Sequence, residues 1–199
     1  MKTVVILLHG NSVKTFDPKY KSDDYLIATV NKASIIEKKI LKDREVDYFY
    51  CSPATRFIEE KDYIYKYLES GRTFITNKKI FKEILDSAPY TQGKFIYDDW
   101  VPEGYPSFMA LMVSLVDMGH REFIIYGLDG IINEEESVYI DESCMDADKE
   151  TKFKHLRKDT KLINQEFFNY IPKDCRITNM NPLSEVTIFE RSPDTNLIR

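Results

Sequence analysis

Small polar side chains and glycines recur in this chain at points where a buried strand is expected to end. Amides and hydroxyls hydrogen-bond a neutral sugar, a ribose or a base edge, and glycine lets a ligand approach the backbone closely. In open parallel sheets, ligands bind beyond the carboxyl ends of the strands. The recurrence therefore predicts a ligand site, although the same residue types are also common in ordinary loops. The set comprises Gly10, Asn11, Ser12, Asn31, Ser52, Gly127, Asp129, Gly130, Asn179 and Asn181.

Three histidines offer acid–base chemistry. His155 is expected near the start of a long helix, where an imidazole can take a proton from a bound hydroxyl. An ordinary exposed helical histidine is the alternative. His9 directly follows the first predicted strand, where a packed, hydrogen-bonded role competes with a functional one. His120 is expected in a turn at the opposite end of the sheet, in a surface or capping role.

Metal chemistry has one weak candidate. Asp146-Ala147-Asp148 has the DxD form, in which carboxylate oxygens hold a divalent ion against a nucleotide diphosphate. Aspartates just before a helix also cap its first turn, which is the alternative. Cys51, Cys144 and Cys175 show no CxxC or Cys/His ligand spacing, so neither a zinc site nor a disulfide framework is expected.

The glycine patterns of the common phosphate-binding loops are missing from the sequence. The turn after the first predicted strand holds only Gly10 of a GxGxxG pattern, and no GxxxxGK[ST] occurs. A dinucleotide site of the NAD type is therefore weakly supported, and a P-loop is excluded.

Strand and helix patterns alternate along the chain, and they must position these residues. Parallel strands need crossovers, and right-handed crossovers place helices on both faces of a sheet. The pattern predicts an α/β, Rossmann-like domain over residues 1–199, with a mostly parallel sheet and an irregular, lid-like segment at about 131–148. Strands are predicted at 3–8, 26–30, 46–50, 73–76, 122–126 and 175–179, and helices at about 35–40, 57–68, 79–85, 107–118 and 149–169, with a short final helix from Ser184.

The composition and charge of the chain limit which macromolecules and membranes it is expected to bind. The chain has 199 residues, of which 43% are hydrophobic and 31% charged, with a formal net charge of -5. An acidic chain is a poor partner for nucleic acid. No apolar run reaches the ~18 residues that a bilayer requires, so we expect a cytoplasmic protein. Lys38, Lys39 and Lys42 form either a solvated helix face or a peripheral contact with anionic lipid at the inner membrane face. Homo-oligomerisation is left open.

Several blocks resemble the family-42 sialyltransferases of bacterial surface-glycan synthesis and their relatives. The most specific is Ser107, its helix, and the sequence GHREFIIYGLD at 119–129. The others are the strand followed by Gly10-Asn11-Ser12, the segment from Leu26 to Asn31, FYCSP at 49–53, and Asn181 through Pro193. In order and spacing these blocks cover most of the chain.

The resemblance implies a CMP-sugar donor, inverting transfer to a glycan hydroxyl, and no metal or other cofactor. The residues that it assigns to nucleotide binding are Gly10, Asn11, Asn31 and Ser107, and Ser52 stands where the family has an asparagine. It also implies that His155 is the general base and that Tyr139 is one of two tyrosines that contact the leaving phosphate. Tyrosine hydroxyls stabilise a departing phosphate electrostatically. Ile131 stands at the second tyrosine position, and residues 100–106 lack the arginine that the family has before Ser107.

Three functional hypotheses follow from these residues. The first is a transferase that uses CMP-sialic acid or a related CMP-sugar. The second is a metal-assisted phosphotransferase or pyrophosphokinase of related fold, with Asp146 and Asp148 holding Mg²⁺. The third is a nucleotide-binding homologue without catalysis, which the missing arginine and second tyrosine motivate.

Overall fold

One parallel sheet organises the chain. The computed structural model describes residues 1–52, 54–87, 94–97, 104–130, 139–144 and 148–192. Eight strands are hydrogen-bonded in the order β5-β4-β3-β2-β1-β6-β7-β8, and every pairing is parallel. The strands are β1 Val4–Leu7, β2 Leu26–Val30, β3 Tyr48–Tyr50, β4 Thr73–Thr76, β5 Lys94–Tyr97, β6 Glu122–Tyr126, β7 Arg176–Asn179 and β8 Glu190–Arg191.

Helices cover both faces of this sheet. They are α1 Ala33–Ile36, which continues as a π-helical turn over Glu37–Leu41, α2 Ala54–Glu59, α3 Lys61–Glu69, α4 Lys78–Ser87, α5 Ser107–Asp117 and α6 Lys149–Tyr170. Side chains alternate across each strand. In β1, Val4 and Ile6 join the buried cluster under α5 and α6, whereas Val5 and Leu7 join the one under α1 to α4. The predicted Rossmann-like α/β class is therefore confirmed.

The strand order reverses between β1 and β6. Strands β2 to β5 extend the sheet on one side of β1, and β6 to β8 extend it on the other. Crossovers leave this point on opposite faces, so the turns that follow β1 and β6 separate and open a crevice at the carboxyl edge. The backbone N–H of Leu8 still donates to Tyr126 O at 2.8 Å, which holds the two strand ends together at the base of the crevice.

The predicted final helix from Ser184 is wrong. The segment forms turns and then β8, because some of its polar groups bind the turn after β6 and not a helical turn of their own. The hydroxyl of Ser184 donates to Leu128 O, and the backbone N–H of Glu185 donates to Asp129 O at 3.0 Å. Strand β5, a short edge strand, was not predicted.

His120 lies at the opposite end of the sheet, as predicted. The predicted surface position is wrong, because the side chain is buried, with its Nε2 3.2 Å from Tyr48 Oη.

None of the helices in the described ranges combines the length and apolar character that crossing a bilayer requires.

Candidate functional site

The turns after β1 and β6 touch through two glycines. A Cβ on Gly10 would lie 2.4 Å from Gly127 O, and a Cβ on Gly127 would lie 2.5 Å from Leu8 O. Gly127 also has a φ of +77°, which side chains disfavour. These glycines are thus required for contact between two chain segments, which is a different reason from the close ligand approach that the sequence suggested.

Asp129 holds the same two turns together. Its buried carboxylate accepts hydrogen bonds from the backbone N–H of Ser12 at 2.8 Å and from Asn181 Nδ2 at 2.8 Å. The Ser12 hydroxyl donates to Asp129 Oδ1, the oxygen that also accepts from Asn181, and it accepts from the N–H of Gly127 at 3.2 Å. The sequence analysis predicted that Asp129 and Ser12 contact a nucleotide. In the structure, these hydrogen bonds are made to other groups of the protein.

A cavity of about 210 Å³ opens above these turns, at the carboxyl edge of β1, β2 and β6. Its walls come from the strand ends, the start of α5, one side of α6 and the segment 139–144. The structure therefore brings together residues from eight separate parts of the sequence, since Arg56 and Val186 also line the cavity. Of the predicted site residues, those that line the cavity are Gly10, Asn31, Ser107, Gly127, Asp129, Gly130 and Tyr139. Asn11, Ser12, Ser52 and His155 are not part of this lining.

Asn31 lines the cavity and carries a buried hydrogen-bond acceptor that no described residue uses. Its backbone adopts φ +58°, a left-handed conformation, and its N–H donates to Tyr50 O at 2.7 Å. The side-chain Nδ2 lies 3.5 Å from Ser107 Oγ, at the first residue of α5. Oδ1 is buried without a hydrogen-bond partner among the described residues, and so is Oδ1 of Asn11. A buried acceptor without a donor is costly, and a ligand donor would remove that cost.

The segment 139–144 closes one side of the cavity. Tyr139 forms an isolated antiparallel bridge with Gly10, and the N–H of Ile140 donates to His9 O at 2.9 Å. Asp141 pairs with Lys39, a contact that holds the pKa of the Asp141 carboxyl well below its usual range. The remainder of the predicted lid, residues 131–138 and 145–147 with Ile131 and Asp146, lies outside the described residues.

Three cations line the cavity, and sequence analysis did not select them. Lys32 and Arg56 are buried, and both pair with Glu59, at 3.0 and 2.7 Å. Arg56 also donates to Cys144 O at 2.9 Å. The Lys152 ammonium lies 5.2 Å from the centroid of the Tyr139 ring. The cluster Lys32–Arg56–Lys152 supplies guanidinium and ammonium donors of the kind that bind a phosphate group.

The signal for these cations was indirect. A charged residue in a helical pattern usually belongs to a solvated face, so neither Arg56 nor Lys152 differed from its neighbours. On α6, however, Lys152, Leu156, Asp159 and Ile163 recur at helical spacing and all line the cavity. A mixed polar and apolar stripe of this kind is typical of a helix that faces a cavity.

His155 lies next to that stripe but is exposed. It precedes Asp159 by one helical turn, and the interaction between them is electrostatic. The Asp159 side chain is half-buried and lines the cavity, where burial raises the pKa of its carboxyl. No hydrogen bond to this carboxyl occurs within the part of the chain that the structure describes. Acid–base chemistry within the cavity is thus available from a carboxyl that sequence analysis overlooked.

His9 is neutral in this environment. Burial of the ring lowers the pKa of His9 to about 4, and the charges of Arg56 and Lys152 act in the same direction. Its Nε2–H donates to Lys32 O at 3.1 Å, which fixes the tautomer. His9 therefore holds the residue after Asn31 in place, as the packed alternative predicted, while still lining the cavity.

Of the two aspartates predicted as metal ligands, the structure describes Asp148, which caps a helix. Asp148 accepts from the backbone N–H of Thr151 at 3.0 Å and from its hydroxyl at 2.7 Å, as the N-cap of α6. These bonds hold the pKa of Asp148 below its usual range. Among the described residues, no group of three or more His, Cys, Asp or Glu side chains is arranged to hold a metal ion.

Ser52, predicted as a nucleotide contact, lies outside the cavity lining, and its backbone carbonyl accepts a hydrogen bond from Asn77 Nδ2 at 2.9 Å.

No protein-family model matches the chain, and no curated protein matches its sequence. Solved structures do match. The sialyltransferase CstII from Campylobacter jejuni, in complex with the substrate analogue CMP-3FNeuAc, has a TM-score of 0.60 at 15% identity, covering 97% of this chain and 87% of that chain. CST-II with a trisaccharide acceptor and CMP has a TM-score of 0.58 at 16% identity, covering 95% and 85%. The chain has a sialyltransferase-like fold. At such identities the likeness establishes the fold, and the chemistry has to be argued from the side chains.

Proposed function

We propose that this protein is a glycosyltransferase that moves a sugar from a CMP-linked donor, CMP-sialic acid or a related CMP-sugar, to a glycan hydroxyl. One observation carries the proposal. The cavity is lined on one side by Asn31, whose amide oxygen has no hydrogen-bond partner among the described residues, and on another side by the cluster Lys32–Arg56–Lys152. A nucleoside monophosphate has donors for the first and an anion for the second. The likeness to CMP-bound sialyltransferases of the same fold supports the choice of nucleotide.

The nucleoside end of the donor fits against β2 and α5. A cytidine offers an exocyclic amine and two ribose hydroxyls, each of which can donate to a buried amide oxygen such as Asn31 Oδ1. Ser107 Oγ, which faces Asn31 Nδ2, adds a hydroxyl that both donates and accepts. The first residue of α5 also brings the positive end of the helix dipole to the cavity.

The phosphate end fits against the three cations. In the transfer step, the bond from the anomeric carbon to the phosphate oxygen breaks, and negative charge develops on the departing CMP. Lys32, Arg56 and Lys152 supply positive charge at that point. Tyr139, held against Lys152, remains the predicted hydroxyl donor to the same phosphate.

Binding of CMP tests the nucleoside contacts. Isothermal titration calorimetry compares wild type with Asn31→Gly, which removes the amide at a backbone position that glycine adopts freely. We expect CMP affinity to fall roughly 10-fold, because one hydrogen bond to a buried group contributes about 1–2 kcal/mol. Lys42→Gly is the matched control: Lys42 also has a positive φ, of +61°, but it does not line the cavity. The proposal is wrong if wild type does not bind CMP.

The phosphate contacts are tested by comparing CMP with cytidine. Replacing Lys152 with glutamine removes a charge beside the expected phosphate without shortening the side chain much. CMP affinity should fall about 5- to 30-fold, whereas cytidine affinity should change less than 2-fold, since the nucleoside has no phosphate. Equal losses for the two ligands would place the phosphate elsewhere.

The other hypotheses meet these experiments differently. The phosphotransferase reading requires Mg²⁺ at Asp146 and Asp148, and nothing in the described part of the chain favours it, since Asp148 is a helix cap. A nucleotide-binding homologue without catalysis would bind CMP and release none from a CMP-sugar. A cytoplasmic location, contact with a membrane surface and self-association stay predictions from the sequence.

A further inference from the structure

We propose that Asp159 is the general base of the transfer, taking the proton of the acceptor hydroxyl; this inference rests on the proposed function. Asp159 belongs to the stripe of α6 that lines the cavity, together with Lys152, Leu156 and Ile163. The sequence had directed attention to His155 instead, whose side chain is exposed outside the cavity lining. A base must reach the proton that it removes, and only the first of these two groups shares a cavity with the predicted donor contacts.

The hydrogen-bonding state of Asp159 separates it from the other carboxylates near the cavity. Asp129 accepts from Ser12 and Asn181, and Glu59 is paired with Lys32 and Arg56. The Asp159 carboxyl accepts no hydrogen bond from any described residue. A half-buried carboxylate without a donor retains its full capacity to accept an O–H from a bound acceptor.

The reaction balances with this one residue added. The acceptor oxygen forms a bond to the anomeric carbon of the donor, and the bond from that carbon to the phosphate oxygen breaks, with its electron pair leaving on CMP. The acceptor proton moves to an oxygen of Asp159. The positive cluster Lys32–Arg56–Lys152 receives the charge of the leaving phosphate, while Asp159 loses its own charge.

The pH dependence follows from what surrounds Asp159. Burial raises the pKa of its carboxyl, and Lys152, His155 and Lys158 on the same helix lower it less. The base form is the carboxylate, so turnover should rise as pH increases through this raised pKa. The other titratable or charged groups that line the cavity are His9, whose pKa is lowered to about 4, the cations Lys32 and Arg56, the Asp129 carboxylate, the Cys144 thiol, whose pKa is raised to about 11, and Tyr139.

The experiment measures CMP release from CMP-N-acetylneuraminate, with water or lactose as acceptor, across pH 4–9. Asp159→Asn keeps the shape of the side chain and removes its basicity. We expect turnover to fall at least 100-fold and the acid limb of the pH profile to disappear, while calorimetric CMP affinity stays within 2-fold of wild type. Glu150→Gln, which removes an exposed carboxylate from the same helix, should leave turnover and profile unchanged.

His155→Gln separates the two candidate bases. A smaller fall than in Asp159→Asn, with the acid limb retained, supports Asp159. A fall confined to His155→Gln, or equal falls in both variants, overturns the inference, because the proton would then go to His155. Those two results overturn this inference alone and leave the transferase standing. Wild type that binds CMP but releases none from the donor above the rate without protein overturns both this inference and the proposed transfer, and supports a nucleotide-binding homologue without catalysis. Wild type that fails to bind CMP overturns the proposed function as well.

Discussion

Removing the Asp129 carboxylate should loosen the turns that form the floor of the cavity. This side chain is 6% exposed and accepts from the N–H and hydroxyl of Ser12 and from Asn181 Nδ2. Hydrogen bonds to a charged group contribute about 1.5–3 kcal/mol each, and a donor left buried without an acceptor is expensive. Asp129→Ala removes all three acceptor contacts. Allowing for rotation of the Ser12 hydroxyl, which still accepts from Gly127, we expect the free energy of unfolding to fall by about 4 kcal/mol.

Asp129→Asn should cost about half as much, roughly 2 kcal/mol, because the amide keeps one acceptor oxygen and turns an NH2 group toward the Ser12 hydroxyl. Equilibrium unfolding in urea, followed by circular dichroism, measures both losses. Asp174→Ala and Asp174→Asn are the matched controls at an exposed aspartate, and both should stay within about 0.5 kcal/mol of wild type.

Amide hydrogen exchange gives a local measurement on the same variants. The N–H of Ser12 donates to the Asp129 carboxylate, so its protection should drop in Asp129→Ala before that of the β1 amides. A loss of less than about 1 kcal/mol, with an unchanged dependence on urea and a protected Ser12 amide, would refute the assignment of Asp129 as the residue that holds the two turns together.

Two further predictions concern the same edge of the sheet. Gly10→Ala should lower the free energy of unfolding by about 3 kcal/mol, since its Cβ would lie 2.4 Å from Gly127 O; Gly71→Ala, with φ +76° and open space around a Cβ, should lose only about 1 kcal/mol in the same urea assay. His9 has a folded-state pKa of about 4, below the unfolded value of 6.5, so its contribution of about 3 kcal/mol is complete above pH 6.5 and is lost as pH falls toward 4. Comparing unfolding of wild type and His9→Gln at pH 7 and pH 4.5 measures that difference, and parallel pH dependences would contradict it.

Much of the fold follows from strand patterns that tertiary structure did not override. The apolar, β-branched runs that became β1, β2 and β6 are buried on both faces, as parallel strands require. The final segment failed for the opposite reason. Ser184 and Glu185 donate hydrogen bonds to Leu128 and Asp129, which are distant in sequence. A prediction from local helix propensity does not include such distant partners.

The site was predictable to the extent that it depends on strand ends. Asn31 and Ser107 stand where a parallel sheet gathers its carboxyl ends, and both line the cavity. Arg56, Lys152 and Asp159 come from helices, and their positions depend on how each helix is rotated against the sheet. The sequence gives the spacing of residues along a helix but not which of several polar stripes faces the sheet. The position of these three side chains in the cavity could therefore not be predicted from the sequence.

Hydrogen-bond capacity divides the polar residues at this edge more sharply than their residue types do. Asp129 and Ser12 looked like ligand groups because they are polar and follow strands, yet their bonds are made within the protein. Asn31 Oδ1 and the Asp159 carboxyl keep acceptor capacity that no described residue uses. A polar group whose partners are internal stabilises the turn that carries it, whereas an enclosed acceptor without a donor raises the energy of the empty site. A ligand that donates to the second kind gains that energy on binding, which is why Asn31, not Asp129, should govern affinity. The half-buried Asp159 carboxyl should govern turnover instead, because it can accept a proton from the acceptor hydroxyl.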